Sequence, residues 1–258
     1  MLLYKYFPPS RDSILAELLI RFTQPTEFND PFDCLPSVVS SPEAIQEVIR
    51  RTAAELDITP QQRQEIIRNY TPNHARLQDT VIASMKKYLS SSTTGVGVLS
   101  LCANGMSVVM SSHYACRHTG FLLAFDSHDS FFAHHAHEPP EVGELRPVNY
   151  TIHRPKFAVP YRSETIDILF TKNDEWSYER ESRILRLLRD AAKTTGDQCH
   201  LFKIPPSAIR QVIFAIDCQP HTIRALREAA SSADELAHVA FFQGRLSQDQ
   251  FKFEHDPV

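Results

Sequence analysis

The segment WSYERESRIL, residues 176–185, places two glutamates and two arginines beside the only tryptophan of the chain. The charges run directly into apolar residues, so this polar segment adjoins a stretch that is typical of a buried core. If the segment is extended, Glu179, Glu181 and Arg183 share one face and form a polar wall. If it is helical, Glu179 and Arg183 form an ordinary i,i+4 ion pair instead. The sequence leaves both conformations open.

The composition predicts a globular protein with a substantial core. Hydrophobic residues make up 42% of the 258 residues and charged residues 22%, which excludes disordered and fibrous classes. The apolar runs are much shorter than the roughly 20 residues that span a bilayer, and the start of the chain lacks the pattern of a secretory signal. Five cysteines without a CxxC pair favour reduced thiols. We therefore expect a cytoplasmic protein that does not enter a membrane.

Glycine usage excludes the common nucleotide-binding loops. Only 7 glycines occur against 17 prolines, and the glycine-rich phosphate loops of Walker-type and Rossmann-type proteins are missing. The net charge of −4 neither indicates nor excludes a nucleic-acid target. A histidine-rich tract at 128–141 is interpreted as a surface loop, and no metal site is predicted.

The distribution of apolar residues predicts an α+β fold with a mixed, mostly antiparallel β core and flanking helices. We expect a single α+β domain over residues 1–258, with residues 41–92 as a helical insertion. Two helices of the insertion open with Ser-Pro or Thr-Pro, where a hydroxyl can cap the first turn. The segment 165–172 fits a strand or a helix. Strands are predicted at 2–7, 19–25, 96–103, 119–126, 145–152, 198–205, 209–216, 238–244 and 250–256, and helices outside the insertion at 14–19, 107–118 and 219–233.

A second cluster of chemically active side chains lies in MSSHYACRH, residues 110–118. At helical spacing Tyr114 and His118 lie one turn apart, as do His113 and Arg117. A histidine with a pKa near neutrality transfers protons or donates to an anion, whereas an ordinary buried histidine satisfies a carbonyl. Both interpretations stay open.

The third cluster is FNDPFD, residues 28–33. Asn29, Asp30 and Asp33 have the side chains that orient a substrate hydroxyl or hold a cation. The same pattern is typical of a turn that saturates its own backbone. Metal binding is the weaker interpretation, because hard cations take about six oxygen ligands.

These clusters occur together in a family that the chain resembles, the bacterial domain-of-unknown-function family numbered 2971. The resemblance covers nearly the whole chain outside the helical block. The family usually shows Met-Trp-Ser-His-Tyr-Ala, and this chain has Ser111 in place of the tryptophan, which predicts a missing aromatic wall of the pocket. The resemblance is carried by LYKY (3–6), FNDPFD (28–33), LSLCA (99–103), MSSHYACRHTGFLLAFD (110–126), VNY (148–150) and KNDEWSYERESRI (172–184).

The resemblance implies a function in bacterial conflict. Members look like parts of anti-phage defence islands, which implies a toxin-like effector that acts on a nucleotide or nucleic acid. A looser similarity to ADP-ribosyltransferases implies that NAD is the substrate. On that analogy Tyr4, Lys5 or Tyr6 supplies the early-strand position, and Glu179 or Glu181 supplies the late acid.

The leading hypothesis is therefore a transferase or glycohydrolase that acts on NAD. Cleavage of its glycosidic bond passes through an oxocarbenium-like centre, which a carboxylate such as Glu181 stabilises. Arg183, His118 and Lys172 are expected to balance the phosphates. The candidate catalytic residues are Glu179, Glu181, His113 and Tyr114, and the candidate substrate-binding residues are Tyr4, Lys5, Tyr6, Asn29, Asp30, Asp33, His118, Lys172, Trp176 and Arg183.

Two other classes of protein stay open. In the first, a non-enzymatic sensor or interaction module, the acids and arginines brace the strands and the helical block binds a partner. In the second, a nuclease, Asp30, Asp33 and Glu179 hold a divalent cation. Breaking a buried ion pair lowers stability, so substitution of Glu181 separates a scaffold from an enzyme.

Overall fold

The predicted α+β fold is confirmed. The largest sheet has eight strands and is mixed, with one parallel pair among otherwise antiparallel neighbours, and helices flank it. Most of the predicted helical insertion at 41–92 lies outside the described residues. The computed structural model describes residues 1–39, 54, 58–69, 79–80, 82–84, 86–87, 91, 95–133, 142–158, 164–196 and 199–258.

The strands follow the predicted apolar segments closely, although the predicted strand at 145–152 is divided in two. In chain order they are β1 (Leu2–Phe7), β2 (Leu19–Phe22), β3 (Ser37–Val39), β4 (Val96–Cys102), β5 (Phe121–Asp126), β6 (Arg146–Pro147), β7 (Asn149–Thr151), β8 (Lys156–Ala158), β9 (Thr171–Asn173), β10 (Glu181–Leu187), β11 (Lys193–Thr195), β12 (Cys199–Lys203), β13 (Ile209–Phe214), β14 (Ala240–Leu246) and β15 (Phe253–Pro257).

The main sheet has the spatial order β15-β14-β13-β5-β1-β4-β10-β6. Its centre, β5, is buried from Phe121 to Phe125, as a strand covered on both faces requires. A second sheet has the order β11-β12-β2, and two parallel pairs, β3-β8 and β7-β9, lie outside both sheets. A bridge between Thr23 and Val98 joins the end of β2 to β4.

β1 and β4 separate after a single paired position. β1 pairs with β5 along all six of its residues, but it pairs with β4 only where Tyr4 faces Cys102. In the gap, the Lys5 ammonium donates a hydrogen bond to the carbonyl of Ser100 at 3.1 Å. The two strands therefore leave an opening between them that side chains fill only partly.

Short helices connect the strands. α1 covers Ile14–Glu17, α2 Pro60–Asn69, α3 Val108–Tyr114 and α4 Pro220–Ser231. Among the described residues, no helix combines the length and the apolar character needed to cross a bilayer. Turns of 3-10 helix lie at Pro9–Arg11, Pro25–Glu27, Ser130–Phe132, Glu164–Phe170, Asp174–Glu179, Leu188–Asp190, Pro206–Ala208 and Asp234–Leu236.

The predicted Thr-Pro start of a helix in the insertion is confirmed. The Thr59 hydroxyl accepts a hydrogen bond from the backbone N–H of Gln62 at 3.3 Å, and the Gln62 side-chain oxygen accepts one from the backbone N–H of Thr59 at 2.9 Å. This reciprocal pair is a capping box, and it satisfies two backbone donors that a helix end would leave unpaired.

The segment 176–185 is neither wholly extended nor α-helical. Residues 174–179 form a 3-10 helix, Arg180 has a left-handed backbone with φ 46°, and β10 begins at Glu181. The carbonyl of Arg180 accepts a hydrogen bond from the backbone N–H of Ala103 at 3.1 Å, which holds this turn against the end of β4. The turn brings Glu179 to the same side as Glu181.

Candidate active site

A cavity of about 450 Å³ opens where β1 and β4 separate. Its walls come from β1, the segment after β2, β4, α3 and the region from β9 to β10. Eleven of the fourteen residues predicted for the site line this one cavity, although they come from distant parts of the sequence. They are Tyr4, Lys5, Tyr6, Asn29, Asp33, His113, Tyr114, Lys172, Glu179, Glu181 and Arg183.

Three predicted site residues are not among those that line the cavity. Asp30 accepts a hydrogen bond from the backbone N–H of Phe32 at 2.8 Å, which is the self-saturating turn that the sequence allowed. His118 pairs with the Ser111 hydroxyl at 3.0 Å and packs edge-on against the Phe253 ring. The ring of Trp176 lies 4.9 Å from the Lys172 ammonium and forms a cation-π contact behind the wall.

The Glu179 carboxylate lies at the end of a chain of polar side chains. One oxygen accepts a hydrogen bond from the Tyr114 hydroxyl at 2.7 Å, and the other lies 2.5 Å from the Lys172 ammonium. The Asn29 side chain hydrogen-bonds the Tyr114 phenol in turn, and burial followed by the charge of Glu179 raises the pKa of Tyr114. Tyr114 therefore stays a hydrogen-bond donor to Glu179 at physiological pH.

Lys172 joins the two glutamates. Its ammonium lies 2.5 Å from Glu179 and 3.1 Å from Glu181, and Asp33 lies at 3.9 Å. Burial alone would lower the pKa of Lys172, but the two glutamates outweigh it and raise the pKa. Lys172 therefore stays charged and holds both carboxylates in place.

Arg183 is fully engaged by the protein. Its Nε donates to Glu181 at 2.7 Å, and its two terminal nitrogens donate to both Asp33 oxygens, to the second Glu181 oxygen and to the Leu169 carbonyl. A guanidinium has five N–H donors, and these five bonds use all of them. The predicted contact between Arg183 and substrate phosphates is therefore corrected: Arg183 braces the wall.

Glu181 shares this bracing role. Burial would raise its pKa, but Arg183 and then Lys172 outweigh burial and lower the pKa to about 2. Its backbone N–H also donates to the Tyr150 hydroxyl at 2.8 Å. A carboxylate held by two cations is a poor partner for a further positive centre. The catalytic role therefore fits Glu179 better than Glu181, because Glu179 contacts one cation and one neutral hydroxyl.

Three further predicted residues with rings, Tyr4, Tyr6 and His113, also line the cavity. Tyr4 and Tyr6 lie on β1, and the Tyr6 hydroxyl donates to the Asn104 carbonyl at 2.9 Å. His113 is exposed on α3 at the mouth, with its ring edge-on to Tyr114. These rings give the cavity aromatic surface in addition to its acids and cations.

Sequence reasoning missed the cavity residues that come from β2 and the turn after it. Arg21, Thr23, Glu27 and Phe28 all line the cavity, and the Arg21 guanidinium pairs with Glu27 at 2.5 Å. Arg21 lies in a short strand that alternates between partly buried and buried positions, where an arginine at a partly buried position is usually an outward-facing residue. No local signal marks it, because the cavity forms only when β2 packs beside β4.

The substitution at Ser111 does not remove a cavity wall. Ser111 is 2% exposed, hydrogen-bonds His118 and faces a separate crevice of about 10 Å³ lined by Met106 and Phe253 among others. The predicted loss of an aromatic wall is not supported, because Ser111 is not among the residues that line the cavity.

The acids of the cavity face cations of the protein rather than one another. Among the residues that the structure describes, no group of three or more His, Cys, Asp or Glu side chains is arranged to hold a metal ion. The predicted nuclease set also does not converge, since Asp30 is not among the residues that line the cavity and Asp33 is held by Arg183.

Comparison with protein-family models, with curated proteins and with solved structures found no match to the chain. The resemblance to family 2971 therefore stays a prediction from the motifs.

Proposed function

We propose that the protein is an enzyme that cleaves the nicotinamide–ribose bond of NAD and releases or transfers the ADP-ribose group. The observation that supports this most directly is Glu179, a carboxylate with a 4% exposed side chain on the wall of a 450 Å³ cavity. It is positioned by a neutral phenol and one ammonium. Cavities of about 300–1,000 Å³ are typical of small-molecule sites.

The chemistry uses the charge of Glu179 at the reacting carbon. When the bond between C1′ of the ribose and the nicotinamide nitrogen breaks, its electron pair returns to the pyridinium ring and C1′ becomes positive. A fixed carboxylate in a water-poor site stabilises this charge without reorganising. Water then adds to C1′ and loses a proton, which gives ADP-ribose, or a nucleophile of a target adds instead.

The tyrosines and Lys172 set the geometry for this step. Tyr114 and Lys172 each hold one oxygen of Glu179, so the carboxylate is oriented before a ligand enters. Tyr4 and Tyr6 offer aromatic faces to the rings of the nucleotide. We propose a cytoplasmic site of action, since all five cysteines are free thiols, and a role in bacterial defence, as the resemblance implies.

The same ion pairs favour the scaffold hypothesis as the second candidate. The bonds of Arg183 to Asp33 and Glu181 would brace β10 in a protein with no catalytic activity. The two hypotheses predict different effects of neutralising Glu179. A scaffold would lose little stability, because Lys172 keeps Glu181 as an ion-pair partner, whereas an enzyme would lose its activity.

Nicotinamide release tests the proposal. Purified protein is incubated with NAD, alone and with bacterial lysate as a source of protein and nucleic-acid acceptors, and free nicotinamide is quantified by liquid chromatography. NADH is the matched control, because its uncharged dihydronicotinamide is a poor leaving group. We expect release from NAD and none from NADH. No release from NAD under any of these conditions would contradict the proposal.

A further inference from the structure

Lys5 is a cation of the cavity that lacks a carboxylate partner. Its ammonium donates to the neutral carbonyl of Ser100 at 3.1 Å, and no ion pair among the described residues includes it. An ammonium has three N–H donors, so two stay available for a ligand. Lys172 differs from Lys5 in this respect, since two glutamates hold it.

Arg21 is the second incompletely satisfied cation. One of its terminal nitrogens pairs with Glu27 at 2.5 Å near the mouth, where the two side chains are 41% and 33% exposed. Its Nε is buried and has no hydrogen-bond partner. The protein therefore satisfies this guanidinium incompletely, and the terminal N–H groups that do not bond Glu27 remain for a ligand.

We propose that Lys5 and Arg21 form a binding site for a phosphate or pyrophosphate group, the anionic part of the nucleotide that the cavity accepts. The proposal deepens the proposed function and rests on it only for the identity of the nucleotide. Both cations line the same cavity, Lys5 from β1 of the main sheet and Arg21 from β2 of the second sheet, and the charge of Arg21 acts on Lys5. Thr23 adds a hydroxyl to the cavity wall. Phosphate oxygens suit this pair, because an arginine and a lysine offer several charged donors to one anion.

This placement moves the phosphate site away from Arg183, Lys172 and His118, the residues that the sequence predicted to bind it. Arg183 has no free donor, Lys172 is neutralised by glutamates, and His118 contacts Ser111 outside the cavity. The anion then lies on the β1–β2 side, and Glu179 lies on the side of α3 and β10. A nucleotide that spans the cavity would place its ribose and base near the acid and its phosphates near Lys5.

Phosphate binding at this site is coupled to the uptake of a proton by Lys5. Burial lowers the pKa of Lys5, as does the charge of Arg21, whereas Glu181, Cys102 and Glu179 act in the opposite direction. A bound anion adds a large opposite charge and raises that pKa, so the complex takes up a proton when Lys5 is neutral in the free protein. Affinity therefore falls as the pH rises through the pKa of Lys5 in the free protein.

Calorimetric titration of the full chain tests the site without any turnover. ADP-ribose is titrated in two buffers of different ionisation enthalpy from pH 6.5 to 10.5, a range that extends to the ordinary pKa of lysine and in which the pyrophosphate does not titrate. Inorganic phosphate and pyrophosphate form separate arms. We expect ADP-ribose to bind with proton uptake and to weaken as the pH rises; tighter binding of inorganic pyrophosphate than of ADP-ribose would assign the site to free pyrophosphate.

Variants assign the effect to the two cations. Lys5→Met and Arg21→Gln should each weaken ADP-ribose binding by about ten- to hundredfold, which is the effect of losing a charged hydrogen bond. Lys5→Arg should keep the affinity but abolish proton uptake, since arginine does not titrate in this range. Lys203→Met, at an exposed position on β12, is the matched control and should bind as the wild type does.

The results separate this site from the proposed function. ADP-ribose binding with proton uptake but without nicotinamide release would retain the site and refute the cleavage. Nicotinamide release that Lys5→Met and Arg21→Gln leave unchanged, with no effect on ADP-ribose affinity, would refute the site and retain the cleavage. Absence of binding by all three ligands to the wild-type protein would also overturn the site.

Discussion

Glu179 and Glu181 lie two residues apart, yet their surroundings give them different tasks. Glu181 is held by Arg183 and Lys172, which keeps its pKa near 2. Glu179 shares only Lys172 and takes its second contact from a neutral phenol. The sequence placed both acids at the site but did not distinguish them, because the distinction depends on Asp33, about 150 residues away, which fixes Arg183.

Substitution of Glu181 tests its structural role through pH. Its pKa lies below the ordinary value of 4.5, so its charge stabilises the folded protein fully above about pH 4.5, and this stability is lost as the pH falls towards 2. We expect Glu181→Gln to lower the free energy of unfolding at neutral pH by about 3–5 kcal/mol. The loss of stability between pH 4.5 and 2 should be shallower in the variant, as measured by urea denaturation.

Glu175→Gln is the control for this measurement, since Glu175 is an exposed acid of the neighbouring 3-10 helix. It should follow the wild-type pH dependence. If Glu181→Gln showed that same dependence and kept its stability at neutral pH, Glu181 would not brace the wall.

At the scale of elements, the sequence predicted where strands run better than where helices stop. The helix predicted at 107–118 ends at Tyr114, and Cys116, Arg117 and His118 have left-handed backbones with φ of 49°, 56° and 69°. Such a run is unfavourable for residues with a Cβ atom. The run is followed by Gly120, which approaches the Phe7 carbonyl so closely that a Cβ would lie 2.0 Å from it, and no local pattern marks this contact with β1.

The conformation of segment 174–187 also could not be predicted from local sequence. Its pattern allowed a strand or a helix, and the chain uses a 3-10 helix followed by a strand. The junction at Arg180 is fixed by the bond from Ala103. A contact between distant segments of this kind leaves no local signal, so the sequence predicted the composition of the acidic wall but not its geometry.

Gly105, in the loop between β4 and α3, packs against the Tyr4 ring, so a substitution there tests whether Tyr4 contributes to ligand binding. A Cβ at Gly105 would lie 2.7 Å from two carbons of the Tyr4 ring, so Gly105→Ala should displace the ring towards the cavity. We expect weaker binding of ADP-ribose, by roughly tenfold, with a loss of stability of about 1–3 kcal/mol. Calorimetry and thermal denaturation measure the two effects.

Gly196→Ala is the matched control, because a Cβ there meets nothing within 4 Å. It should leave ligand affinity unchanged. Equal affinities for ADP-ribose in the Gly105 and Gly196 variants would remove Tyr4 from the binding surface.

At the scale of the whole molecule, the sequence predicted the α+β class because apolar runs mark the strands of the main sheet. It also identified most of the cavity wall, since acids, tyrosines and a histidine next to apolar strands are unusual in a core. Arg21 escaped prediction because the packing of β2 beside β4 is a tertiary event. The role of Arg183 was misassigned, since its saturation by Asp33 and Leu169 appears only in three dimensions.

The lysines and arginines that line the cavity balance its carboxylates, four against four. Lys5 is the cation of this set whose pKa is lowered, and its neutral form leaves the cavity with a net charge of −1. A bound phosphate and the proton that accompanies it change this balance. Ligand affinity and pH are therefore linked through the cavity as a unit.

The most direct test of the account compares Glu179→Gln with wild type in two assays on the same preparation, nicotinamide release from NAD and thermal denaturation. We expect release to fall by about 10²–10³-fold, as for loss of a group that stabilises transition-state charge, while the melting temperature stays within a few degrees because Lys172 keeps Glu181. Glu175→Gln should change neither. Wild-type release by the Glu179→Gln variant would contradict the account.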